Sequence, residues 1–144
     1  MDLVIDTNIL VGHLLREKGQ NLLANNQFVL FISVKVFQET LYEFDKRLES
    51  MLGKGHISQK DLKTKRKTAL KIFNEITTIL PLKIYSSYEK EAKIRMHKDI
   101  DDWETVALAL YLELPIWTED KDFFGCGIAT WSTETLVKYL NINY

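Results

Sequence analysis

The chain has 144 residues, 46% of them hydrophobic, which suits one domain spanning 1–144 around a single core and is too little for two. Its 19 Lys and Arg against 20 Asp and Glu leave a net charge of −1, so no global positive field draws in a polyanion; such a partner must be met by a local basic patch or through a metal. The lone Cys126 allows neither an intrachain disulfide nor a cysteine-based zinc site. With no apolar run near the roughly 20 residues of a membrane span and no basic, apolar leader, a cytoplasmic protein without membrane association is expected.

In chain order, Leu3-Val4-Ile5 predicts a buried strand that ends in Asp6-Thr7-Asn8 and feeds a helix carrying Ile9, Leu10 and Leu14. Asp6 stands where strand becomes loop, as an N-cap or as a site residue. Phe28 to Ile32 predicts a second strand. Ser33 then caps a long helix whose apolar residues Val34, Phe37, Leu41, Phe44, Leu48 and Leu52 place Glu39 on the opposite side, so Glu39 reaches a site only if that helix crosses the sheet edge. After the turn at Gly53 to His56, Ser58 and Asp61 form a capping-box pattern. The helix they open turns Leu62, Ala69, Leu70, Phe73 and Ile76 inward and displays Lys60, Lys63, Lys65, Arg66, Lys67 and Lys71. Such a face is a solvated surface or a phosphate-binding ridge, in which Lys63, Arg66 and Lys67 are the candidate phosphate contacts.

Ile79-Leu80-Pro81 is expected to end this helix, with Leu82 to Tyr85 as a strand and Ser86 or Ser87 capping a polar helix that fades at His97-Lys98. From Val106 to Leu112 every residue is apolar or aromatic, which predicts a helix covered on most sides. A strand from Pro115 to Thr118 delivers Asp120 and Asp122 beyond its C-terminal end. Gly125 to Gly127 turns the chain into a last strand, Ile128 to Trp131, and Thr133 caps a closing helix. Strands alternating with helices predict an α/β fold with a central, mainly parallel sheet, whose ligands bind beyond the carboxyl ends of its strands. His13, His56 and His97 lack the close spacing of a zinc pair.

Carboxylates thus recur at strand and helix ends. Two of them about 5 Å apart repel by roughly 3 kcal/mol at an effective dielectric near 20, so several at one edge call for protons or a hard cation. Mg²⁺ or Mn²⁺ takes oxygen ligands and leaves positions for phosphate oxygens, and such a site hydrolyses phosphodiesters. Val4-Ile5-Asp6-Thr7-Asn8, Gln38-Glu39-Thr40-Leu41-Tyr42, Asp102 ahead of Ala107 and Ala109, and Thr118-Glu119-Asp120-Lys121-Asp122-Phe123 resemble a PIN domain in order and spacing, over essentially the whole chain.

The resemblance implies a three-layer α/β/α sandwich and a Mg²⁺- or Mn²⁺-dependent endoribonuclease, often the toxin of a VapBC-type toxin-antitoxin pair. It implies Asp6, Glu39, Asp102 and Asp120 as the catalytic acids, with Asp6, Asp102, Asp120 and Asp122 as metal ligands. Thr7, Asn8 and Thr118 orient the site or serve as simple caps. Asp101, with Glu104 three residues on, reads as a cap and Asp102 as the ligand, or the two exchange roles; Asp99 is expected to be solvated. An RNA substrate, an antitoxin and a homodimer using Tyr139 or Tyr144 are the implied partners. The alternative is a non-catalytic PIN-like module that binds protein or RNA, whose mark would be missing acids. A phosphotransfer enzyme with Asp6 as nucleophile wants a second Asp two positions on, where Asn8 stands.

Overall fold

The computed structural model describes residues 1–144. Strands β1 (Asp2–Ile5), β2 (Val29–Ser33), β3 (Thr77–Leu80), β4 (Ile116–Trp117) and β5 (Thr130–Trp131) form one all-parallel sheet in the order β3-β2-β1-β4-β5. Successive side chains of a strand point to opposite faces, and here both faces are covered. Leu3, Ile5, Leu30 and Ile32 join a core with α1 (Thr7–Leu14), α2 (Glu17–Leu23), α3 (Val34–Gly53), α4 (Gln59–Ile76) and Leu136 of α8 (Thr133–Tyr139). Val4 and Ile116 face a second core with α5 (Leu82–Tyr85), α6 (Glu89–Arg95) and α7 (Trp103–Leu112). The result is the three-layer α/β/α sandwich that the family resemblance implied, built on the parallel sheet expected from the alternation of elements. No helix is long and apolar enough to cross a membrane.

The all-apolar helix behaves as its composition demands: Val106, Ala107, Leu108 and Ala109 are at most 1% exposed, and the alanines let α7 lie close to the sheet. Glu113 ends it in the left-handed conformation, φ 56°, before Pro115. On the same side Cys126 is buried, and its carbonyl accepts from the Arg95 guanidinium.

Several boundaries differ from expectation. The helix of the basic face stops at Ile76, and Thr77–Leu80, not Leu82–Tyr85, is the strand; the latter is α5. Thr77 closes the helix by donating from its hydroxyl to the Phe73 carbonyl at 2.7 Å, and the β-branched Thr77-Thr78-Ile79 run suits the sheet edge beside β2. Neither Ser86 nor Ser87 caps a helix by its side chain, Ser132 rather than Thr133 caps α8 by accepting from Thr135 N–H, and α2 was not expected at all. On α3 the fully buried stripe is Val36, Thr40, Phe44 and Leu48, while Phe37 turns sideways to stack on Phe73 of α4 at 5.3 Å. Because α3 packs on both the sheet side and α4, its apolar arc is broad. Glu39 lies on the flank of that arc rather than opposite it.

Candidate functional site

β1 and β4 are neighbours at the middle of the sheet, and the chain leaves them for opposite flanks, so a crevice opens beyond their carboxyl ends. The last residues of both strands are tied together there. Asp6 N–H donates to the Trp117 carbonyl at 3.1 Å, and the buried Thr118 hydroxyl donates to Asp6 Oδ2 at 3.1 Å. The same hydroxyl accepts from Asp120 N–H at 2.9 Å, so Thr118 positions two of the expected acids at once. Asp120 Oδ1 in turn accepts from Asp122 N–H at 2.9 Å, which caps the short 3-10 turn Lys121–Phe123.

Two helices supply the remaining acids. α3 is capped by Ser33, whose hydroxyl accepts from Val36 N–H, and nearly two turns on it carries Glu39, whose Oε2 accepts from the Thr7 hydroxyl at 3.2 Å. α7 follows a 3-10 turn at Ile100–Asp102, capped by Asp99 through Asp101 N–H at 3.1 Å. Asp6, Glu39, Asp102 and Asp120 all line one cavity of about 480 Å³, together with Thr7, Asn8, Tyr42, Glu43 and Asp99. Four acids remote in sequence are therefore brought together.

The remaining candidates divide between this cavity and its surroundings. Asp122 does not line this cavity and contributes only its backbone N–H to Asp120. Asp99, expected to be solvated, does line it. Asp101 does not, and it makes no capping pair with Glu104, whose carboxylate accepts from the Tyr85 hydroxyl at 2.7 Å. Lys63, Arg66 and Lys67 lie outside the cavity on α4, and the Arg66 guanidinium is already held by Asp45 through bonds of 2.7 and 2.8 Å. Lys35 escaped the sequence reading. It pairs with Glu39 Oε1 at 3.7 Å and donates to the Asp101 carbonyl, spanning the two helix starts that carry Glu39 and Asp102. Its position four residues before Glu39 on a helix was the available signal.

Electrostatically the cavity is short of positive charge. Burial pushes Asp6, only 4% exposed, up to about 6, partly offset by the Thr118 hydrogen bond and reinforced by Asp120 and Glu39. Burial, with Asp6, Asp99 and Asp120 adding to it, raises Asp102 to about 7 against the opposing charge of Lys35. The donors are hard oxygens of the kind a divalent cation takes, and such an ion would relieve both carboxylates. They surround the cavity without closing on a common point: no three of them are placed to enclose an ion as they stand. The donor chemistry is that of a hard divalent cation, for which the cavity offers the carboxylates of Asp6, Asp120, Glu39 and Asp102.

A family model described as a PIN domain matches residues 4–141. The chain belongs to the PIN domain family. No curated protein matches it. Among solved structures, this PIN domain is similar to a chain of a toxin-antitoxin complex from Klebsiella pneumoniae, at 16% identity over 85% of this chain and 91% of that one, with a TM-score of 0.57. It is also similar to a chain of FitAcB from Neisseria gonorrhoeae, at 21% identity over 91% of this chain and 96% of that one, with a TM-score of 0.54. At these identities the likeness is one of fold.

Proposed function

We propose that this PIN domain, spanning 1–144, is a Mg²⁺- or Mn²⁺-dependent endoribonuclease of the VapC toxin kind, acting in the cytoplasm. The observation that carries it is the single cavity at the middle of the sheet into which Asp6, Glu39, Asp102 and Asp120 are gathered. When bound, the ion supplies Lewis acidity toward the phosphate oxygens of the scissile bond. Asp6 and Asp120 are its main holders, kept in register by the Thr118 hydroxyl that contacts both residues. Glu39, oriented by Thr7 and Lys35, and Asp102 complete the acid set, directly or through water. Asn8 lines the same cavity and offers an amide to the substrate.

An antitoxin partner follows from the toxin reading and is supported by the likeness to a chain of a toxin-antitoxin complex. A homodimer is part of the same reading, with the 64% exposed Tyr139 as a contact. The test is cleavage of a single-stranded RNA with Mg²⁺ or Mn²⁺. Asp6→Asn and Asp120→Asn should each lower the rate by at least about 100-fold with the fold retained, and excess chelator should abolish it. Cleavage at the parent rate in both variants, or in chelator, removes the proposal. A stable protein complex without nuclease activity would favour the non-catalytic module.

A further inference from the structure

The acid cavity continues beyond its carboxylates. Asn8, on its wall, also lines a second cavity of about 340 Å³ with His13, Arg16 and Tyr144. Glu119, Thr133 and Tyr144 are shared in turn with a third, of about 820 Å³, bounded by α8 and the closing segment with Asn141 and Asn143. The shared residues place these three spaces side by side as a furrow, running from the acids along α1 as far as Arg16 and on along α8.

Its chemistry is not that of the acid end. Glu119 Oε1 already accepts from Thr133 N–H at 2.7 Å, and Glu134 is paired with Lys138 at 2.5 Å. Arg16, by contrast, is exposed and enters none of the ion pairs of the molecule. Tyr144 is held in place rather than loose: its hydroxyl lies 3.1 Å from His13 Nδ1, and Lys18 Nζ sits 4.5 Å from the ring centroid. The ring nevertheless stays 39% exposed. A free guanidinium, a fixed and accessible aromatic ring and a run of amides are the features that take phosphate, base and base edges of a single strand.

We propose that this furrow carries single-stranded RNA on one side of the scissile phosphate, with Arg16 on a backbone phosphate and the Tyr144 ring against a base. The inference rests on the ribonuclease reading for its ligand, but its test does not need turnover. Binding of fluorescent single-stranded RNAs, from a dinucleotide to about 12 nucleotides, is measured by anisotropy in the Asp6→Asn background. The parent should gain affinity with length. Tyr144→Ala and Arg16→Ala should each lose about 10-fold on the longest strand and proportionately less on the shortest, and Tyr144→Trp should restore the affinity. Arg16→Ala should also flatten the salt dependence by about one phosphate contact.

Affinity for the longest strand equal to the parent's in both variants overturns the proposal, as does a loss that is the same at every length. A parent that fails to bind RNA overturns it too. Variants that weaken capture of a protein partner while leaving RNA binding untouched assign the furrow to that partner instead. If the wild-type protein binds RNA through Arg16 and Tyr144 but never cleaves it, the nuclease reading falls and the furrow stands.

Discussion

Burial of Asp6 sets the sign of its effect on stability. The unfolded chain releases this proton near the ordinary value of 3.8 and the folded chain near 6, so between those values the folded state holds the extra proton. The stabilisation is complete below pH 4 and is lost as pH rises through 6, and Asp102, raised to about 7, extends the loss in the same direction. Asp6→Asn should therefore flatten the pH dependence of the cation-free protein and raise its stability at pH 8 by up to about 3 kcal/mol, read from urea unfolding at several pH values. Lys35 is the complementary case. Its half-exposed pair with Glu39 is worth less than about 1 kcal/mol, but its charge opposes the upward shift of Asp102. Lys35→Met should lower the unfolding midpoint without divalent ion, and saturating Mg²⁺ should narrow the gap; an equal gap in both conditions means only local packing was lost. Asp6, Asp102 and Asp120 were legible as carboxylates at strand and helix ends, whereas Glu39, inside α3, entered the set only through the resemblance to a PIN domain. Lys35 was not, since a lysine four residues before a glutamate resembles any surface pair until the fold brings Asp101 beside it.

Helices and strands were legible where composition alone decides them. The run Val106 to Leu112 has no polar face and its first four residues are buried, although Tyr111 stays 45% exposed near the helix end, and Ser58 with Asp61 forms the complete capping box. Where two neighbouring segments share a β-compatible pattern, only pairing partners separate them, and β2 selects Thr77–Leu80 by direct register from Leu30↔Thr77 to Ser33↔Leu80. α2 is seven residues containing Gly19 and Asn21, weak helix formers, and its existence depends on tertiary contact. Gly19 shows how close that contact is: a methyl there would stand 2.4 Å from the His13 carbonyl oxygen and 2.6 Å from its Cα. Gly19→Ala should thus force α1 and α2 apart and cost about 3 kcal/mol in chemical denaturation. The disturbance should reach Leu22 and Leu23, which anchor α2 in the core.

For the whole molecule, the order β3-β2-β1-β4-β5 makes distant acids neighbours by opening a crevice beside β1. The order of acids along the chain was readable, and so was their gathering at a sheet edge; the furrow beyond Asn8 was not, because it depends on where the closing segment folds back against α1. Since burial raises the Asp6 and Asp102 carboxyls to about 6 and about 7, binding of Mn²⁺ competes with protonation at acidic pH. The thermal midpoint should rise more with Mn²⁺ at pH 8 than at pH 5, and an equal rise at both would mean the ion binds elsewhere. Cys126 offers an independent view of the same region. As the chain's sole thiol, 2% exposed and a few residues beyond Asp122, it reacts with an alkylating reagent only when its surroundings open. Its alkylation rate is a built-in clock for local opening beside the acid loop, readable by mass spectrometry without any engineered label.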